Sequence, residues 1–166
     1  MTGNSPGAAP RPQITRPPAS DHDIDTVART LWGEARGEGR LGMEAVADVI
    51  RNRQWAALEY LARNPTKKRH PLFGDGTLAG VCLRPWQFSC WNAADPNLPK
   101  LKAVTKEDVH FRQALDIADI AANGILGNHT RGATHYHHRK IPKPVWTAGA
   151  NHCGDVGVHI FYKNVK

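Results

Sequence analysis

Between Asp21 and Arg53 two apolar stripes at helical spacing follow one another almost without a gap, and this constrains the fold more than any other feature. In the first, Ile24, Val27, Ala28, Leu31, Trp32 and Ala35 line one face behind acidic residues that suit a helix N-terminus. In the second, Met43, Val46, Ala47, Val49 and Ile50 form the stripe, and Arg51-Asn52-Arg53 complements the dipole at its C-terminal end. The spacing predicts a first helix ending near Gly37 and a second over about Leu41–Arg53. An amphipathic stripe is stable only when buried against another element, so the pair anchors a mostly helical domain.

The remaining signals extend this domain. Trp55–Ala62 reads as a short third helix, followed by an exposed loop through Asn64-Pro65 and Lys67-Lys68-Arg69 to Gly74-Asp75-Gly76. Thr77 suits the cap of a brief helix through Leu83, stopped by Pro85. Thr105 and Asp108 have capping-box spacing ahead of Val109, Leu115, Ala118, Ala121 and Ala122, and Asn123-Gly124 closes that helix. Beyond Gly132, Ala133–His138 and Val158–Lys163 are short β-prone runs that predict a hairpin or small sheet. The expected fold is α+β and predominantly helical. Residues 1–20 carry proline without aromatic residues and read as a Pro-rich disordered tail, leaving 21–166 as one domain.

Composition narrows the function classes. Apolar residues make up 40% of the chain, enough for a real core, but no run approaches the roughly 18 consecutive apolar residues of a membrane span. The formal net charge of +7, with nine histidines, favours an anionic partner: nucleic acid, anionic lipid or the bacterial wall. No nucleic-acid motif is present, and the basic runs Lys67-Lys68-Arg69 and Lys100–Lys106 read as solvated loops. Cys82, Cys90 and Cys153 are too few and odd in number for a disulfide framework and read as small reduced hydrophobes, with a Cys82–Cys90 bridge as the alternative.

One residue breaks the pattern of the first stripe. Glu34 lies three residues after Leu31 and seven after Val27, so it points along the apolar face. A carboxyl held partly out of water is penalised in its charged form and is suited to deliver a proton. The competing reading is a structural ion pair with Arg36 or Arg51. Glu38 follows Gly37, where the helix should be ending, and its direction cannot be taken from the wheel; it is either solvated or bonded to the next helix's amides, or a second carboxylate of the site.

Four ordered blocks resemble the SleB-type cell-wall hydrolase family. They are Trp32-Gly33-Glu34-Ala35-Arg36-Gly37-Glu38, the run Gly42–Arg53, Pro85-Trp86-Gln87-Phe88-Ser89-Cys90-Trp91, and the closing set Ala133–His137, Pro144–Trp146, Asn151-His152 and Phe161-Tyr162. The resemblance implies a lysozyme-like fold and cleavage of peptidoglycan glycan between N-acetylmuramic acid and N-acetylglucosamine. It implies a lytic transglycosylase in which the position of Glu34 holds the catalytic glutamate, and no cofactor. Hydrolysis would require a second carboxylate, for which Glu38 is the candidate. Gln87, Phe88 and Ser89 supply donors and a ring for a sugar chain, with Tyr136, His135 and Trp146 as further substrate contacts. Core packing competes for Trp86 and Trp91.

A different class is considered for the histidines. On a strand His135 and His137 share a face that His152 could join, as in a zinc peptidase, although no HExxH motif occurs and no metal is expected. A non-catalytic wall-binding module is the third class. The absence of a basic-then-apolar leader or of wall-binding repeats, together with a long Gln54–Gly76 link, favours a monomeric phage-type endolysin made in the cytoplasm and released to the wall through a holin.

Overall fold

The computed structural model describes residues 14–166. The tail expected over 1–20 therefore lies, through residue 13, outside the described residues. From 14 onward the segment is irregular but rests on the helices: the Arg16 guanidinium stands 5.4 Å from the Trp55 ring centroid, and Ala19 packs on the core.

Helix α1 spans Asp21–Ala35 and begins with a full capping box between Ser20 and Asp23. Asp23 does more than cap. Its Oδ1 accepts the Ala79 N–H at 2.8 Å and so ties the start of α1 to α3, Leu78–Cys82, which Thr77 caps as expected. The α1 stripe of Val27, Ala28, Leu31, Trp32 and Ala35 is buried, each large side chain contributing about 1.5–3 kcal/mol by leaving water.

A single 3₁₀ turn, Arg36–Glu38, and Gly39 at φ 67° lead into α2, Gly39–Arg63. The two helices expected over Leu41–Arg53 and Trp55–Ala62 are thus one. Arg53 and Gln54 at the join are buried, and the polar side chains there are hydrogen-bonded to other parts of the chain. Gln54 Nε2 donates to Gly76 O at 3.1 Å, Arg53 Nε donates to Thr134 O at 2.7 Å, and Asp48 Oδ2 accepts the Thr130 N–H at 2.9 Å. A short helix α4, Leu98–Ala103, was not legible in the sequence. In α5, Val109–Ala122, the cap is Asp108 itself and not Thr105, because its carboxylate accepts both the Phe111 N–H at 2.9 Å and the Trp32 indole N–H at 3.2 Å.

The C-terminal part forms a three-stranded antiparallel sheet in the order β1, His135–His138; β3, His159–Lys163; and β2, Asn151–Val156. One face, carrying Tyr136 and Phe161, packs on Ala45 and Val49 of α2. All three cysteines are buried and free, so the Cys82–Cys90 bridge is not formed. Among the described residues no helix is long and apolar enough to cross a membrane.

Burial opposes the charge of Asp23, but hydrogen bonds from Ala79 and Ser20 outweigh it and hold the carboxyl below its usual range. Asp23→Ala is expected to lower stability by about 1–2 kcal/mol in urea denaturation at neutral pH. Because the folded value is the lower one, the gap between parent and variant should narrow as pH falls through the acid range.

Candidate active site

Glu34 sits in the last turn of α1, half-buried, where the apolar stripe reaches the surface. Three donors from distant parts of the chain converge on its carboxyl. The Tyr136 hydroxyl donates to Oε2 at 2.9 Å, and the Cys90 N–H and the Ser89 hydroxyl donate to Oε1 at 3.1 and 3.4 Å. Burial and the neighbouring Glu34 push the Tyr136 pKa well above its usual value, so the hydroxyl remains a donor. The structural ion pair considered for Glu34 does not form. Arg36 lies over the Trp32 ring at 4.1 Å, and Arg51 donates to Leu126 O at 2.7 Å.

The convergence depends on a missing side chain. A Cβ on Gly33 would stand 2.7 Å from the Cys90 Cβ, so glycine at this helix position is what lets the Ser89–Trp91 turn reach α1. Arg53 then fixes both donor segments. It is 4% exposed, with its guanidinium 4.7 Å from the Phe88 ring centroid; it donates to Gln87 O at 3.3 Å, just before the turn, and to Thr134 O, just before β1. By sequence Arg53 reads as part of a basic helix end, which hides this role. The signal is in the sequence: Arg53 follows Val46 by seven residues and Ile50 by three, the same spacing that singles out Glu34.

Glu34 opens into a cleft of about 280 Å³ whose other walls include Glu38, His138, Val158 and His159. Glu38 is half-buried and, among the described residues, bonds no α2 amide. Its Oε2 accepts the Val158 N–H at 3.0 Å in the β2–β3 turn, and Gly42 and Gly157 leave the room that its side chain occupies. A larger cavity of about 500 Å³ lies between α2 and residues 126–134, lined by Arg16, Arg51 and Trp55, and holds neither carboxylate. The chemistry points to the smaller one.

The other expected contacts divide. Ser89 is exposed beside Glu34, and Tyr136 reaches it directly. Gln87 is half-buried and engages Arg53 through its carbonyl. Phe88 is 2% exposed and serves as the platform under Arg53, so its ring offers no face to a ligand. Trp91 is half-buried and donates to Thr30 Oγ1 at 2.9 Å, whereas Trp86 is exposed. His135 and Trp146 are not brought to Glu34. Strand alternation puts Tyr136 on the face toward α1 and His135 on the opposite face, where it packs with Trp146 at 5.4 Å between centroids.

His137 shares that opposite face and stacks on Tyr162 at 5.7 Å, while His152 Nε2 meets Asp155 Oδ1 at 2.8 Å. Among the described residues no three His, Cys, Asp or Glu side chains are grouped to hold a metal ion. Burial, aided by Arg53, lowers the His135 pKa to about 4. Stability should accordingly be full above the unfolded value near 6.5 and fall as pH drops toward 4, because the unfolded chain takes up the proton first. In denaturation series between pH 7.5 and 4, His135→Phe is expected to flatten that decline; an unchanged slope would assign it to other groups.

Comparison with known proteins identifies relatives of the chain by sequence and by fold. A family model described as Cell Wall Hydrolase matches residues 37–162, beginning just after Glu34. A spore cortex-lytic enzyme of Halalkalibacterium halodurans is 32% identical over 142 residues, 86% of this chain and 35% of that protein. The chain thus spans about a third of the length of that relative. Among solved structures, the catalytic domain of the germination-specific lytic transglycosylase SleB from Bacillus anthracis superposes with a TM-score of 0.62 at 26% identity, covering 87% of this chain and 96% of that domain. The catalytic domain of the Bacillus cereus SleB protein gives 0.61 at 27% identity, covering 87% and 92%.

Proposed function

The chain belongs to the Cell Wall Hydrolase family, in its SleB type, and from that premise we propose that it cleaves the N-acetylmuramic acid–N-acetylglucosamine bond of peptidoglycan as a lytic transglycosylase, with Glu34 as acid and then base. The observation that carries this reading is the convergence of three donors on one carboxyl that has no cation paired to it among the described residues and opens into a cleft.

The steps follow from that arrangement. The protonated Glu34 carboxyl gives its proton to the bridging oxygen, the bond from the muramic C1 to that oxygen breaks, and an oxocarbenium-like state forms. As the proton leaves, the carboxylate gains full charge, and the bonds from Tyr136, Cys90 and Ser89 strengthen. Interactions that grow along the reaction coordinate accelerate it, whereas equally strong ground-state contacts do not. The carboxylate then takes the proton of the muramic C6 hydroxyl, whose oxygen bonds to C1. The product is a 1,6-anhydro sugar, and the proton lent to the leaving group is recovered. The formal charge of +7 supports approach to an anionic wall.

A second reading is favoured by one observation. Glu38 lines the same cleft, and its Oε1 has no hydrogen-bond partner among the described residues. If water rather than the C6 hydroxyl attacks, Glu38 is the carboxylate placed to activate it.

Mass spectrometry of digested peptidoglycan separates the two: 1,6-anhydro ends support the transglycosylase and new reducing ends the hydrolase, while cut peptides with intact glycan overturn both. Glu34→Gln should reduce glycan cleavage by about 10²–10⁴-fold in a folded protein. Tyr136→Phe should cost about ten- to a hundredfold, the effect of one hydrogen bond to a charged group. Glu38→Gln should cost clearly less than Glu34→Gln for a transglycosylase and as much for a hydrolase.

A further inference from the structure

The turn ahead of the Ser89–Trp91 segment contains a residue that the fold itself does not need. Gln87 N–H donates to Arg84 O at 3.1 Å and closes a turn with Pro85 and Trp86 at its central positions. Trp86 has φ 69°. Proline followed by a positive φ is the pattern of a type II turn, whose second central position ordinarily takes glycine or asparagine, because a Cβ there crowds the backbone. The side chain does not offset this cost. Trp86 is 85% exposed, and among the described residues its ring has no aromatic or cationic partner and its indole N–H no acceptor. Glycine would make the same turn with less strain and no exposed ring.

The turn is firmly held. Arg84 donates to Pro71 O at 2.7 Å, the Gln87 carbonyl accepts from buried Arg53, and Phe88 is locked into the core. Trp86 is three residues before Ser89, whose hydroxyl meets Glu34, so its Cα lies within about 11 Å of the Ser89 Cα, the reach of three extended residues. That distance is within the span of a few linked sugars.

We propose that Trp86 is a sugar-stacking residue, whose indole is presented by the strained turn to the apolar face of a pyranose in the same glycan strand that Glu34 cleaves. An aromatic face attracts the C–H-rich side of a sugar ring, and a large rigid ring engages it with little loss of side-chain freedom. Trp86 therefore sets affinity for the polymer and leaves the bond-breaking step to Glu34. This inference rests on the proposed glycan substrate.

The test uses Trp86→Gly and Trp86→Phe in the full chain, with peptide-free glycan strands as the probe. Trp86→Gly should keep or raise the thermal unfolding midpoint, since the positive φ is relieved. It should also raise KM by about tenfold with kcat little changed, the signature of lost binding shared by ground and transition states. Trp86→Phe should recover most of the affinity. In the Glu34→Gln background, binding of uncleaved strands should weaken by a similar factor on adding Trp86→Gly. A lowered unfolding midpoint for Trp86→Gly would make the ring structural, and an unchanged KM would remove it from substrate binding; either overturns the inference. If the parent neither binds nor cleaves the strands, the glycan function itself falls and this inference with it. If the parent is active and Trp86→Gly matches it, Trp86 alone is excluded.

Discussion

The structure is organised around one half-buried carboxyl. Glu34 draws its hydrogen bonds from residues 55, 56 and 102 positions away, so the site exists only when α1, the Ser89–Trp91 turn and β1 have docked. That docking is limited by sterics at Gly33, where the turn comes too close to α1 for any Cβ. A carboxyl half out of water without donors would destabilise the fold. With three donors it becomes a junction between the helical part and the sheet, so the assembly of the fold and the assembly of the site are the same event.

The donors hold their positions because Arg53 holds them. A buried guanidinium is costly unless its N–H groups are satisfied, and here they are met by carbonyls of the two segments that carry Ser89, Cys90 and Tyr136. Phe88 and Phe73 flank the guanidinium at 4.7 and 5.8 Å from their centroids. The Gln-Phe-Ser block thus works largely from the inside: Phe88 supports a charge, the Gln87 carbonyl receives it, and the Ser89 side chain bonds Glu34. Glu38 serves in parallel as the link from the α1–α2 junction to the β2–β3 turn. The two carboxylates accordingly have different surroundings, one bound by side-chain and backbone donors and the other by a single backbone N–H.

Local rules are broken in three places around this centre: a glutamate on an apolar stripe, an arginine inside the core, and a tryptophan at a glycine-type turn position. Sequences that specify one fold are locally consistent, and departures concentrate where function demands them. The surrounding elements follow the rules closely. Ser20 with Asp23, Thr77 and Asp108 cap their helices, and the apolar stripes of α1, α2 and α5 fill one core.

What the sequence determined by itself was periodic or ordered. Helical spacing established α1, the first half of α2, α5 and the helical class, and it singled out Glu34; the four ordered blocks established the family. The sequence could not show that Gln54 continues α2, because a polar residue reads as a helix end until its buried partner, the Gly76 carbonyl, is in place. It could not separate Trp86 from Trp91, since exposure is a property of the neighbours and not of the residue. His135 and Tyr136 fall in one motif block, but strand alternation sends them to opposite faces of the sheet. Capping, periodicity and motif order act over a few residues and leave a record in the chain. Which donors meet a carboxyl across as many as 102 residues is decided by packing alone, and there only the tertiary structure speaks.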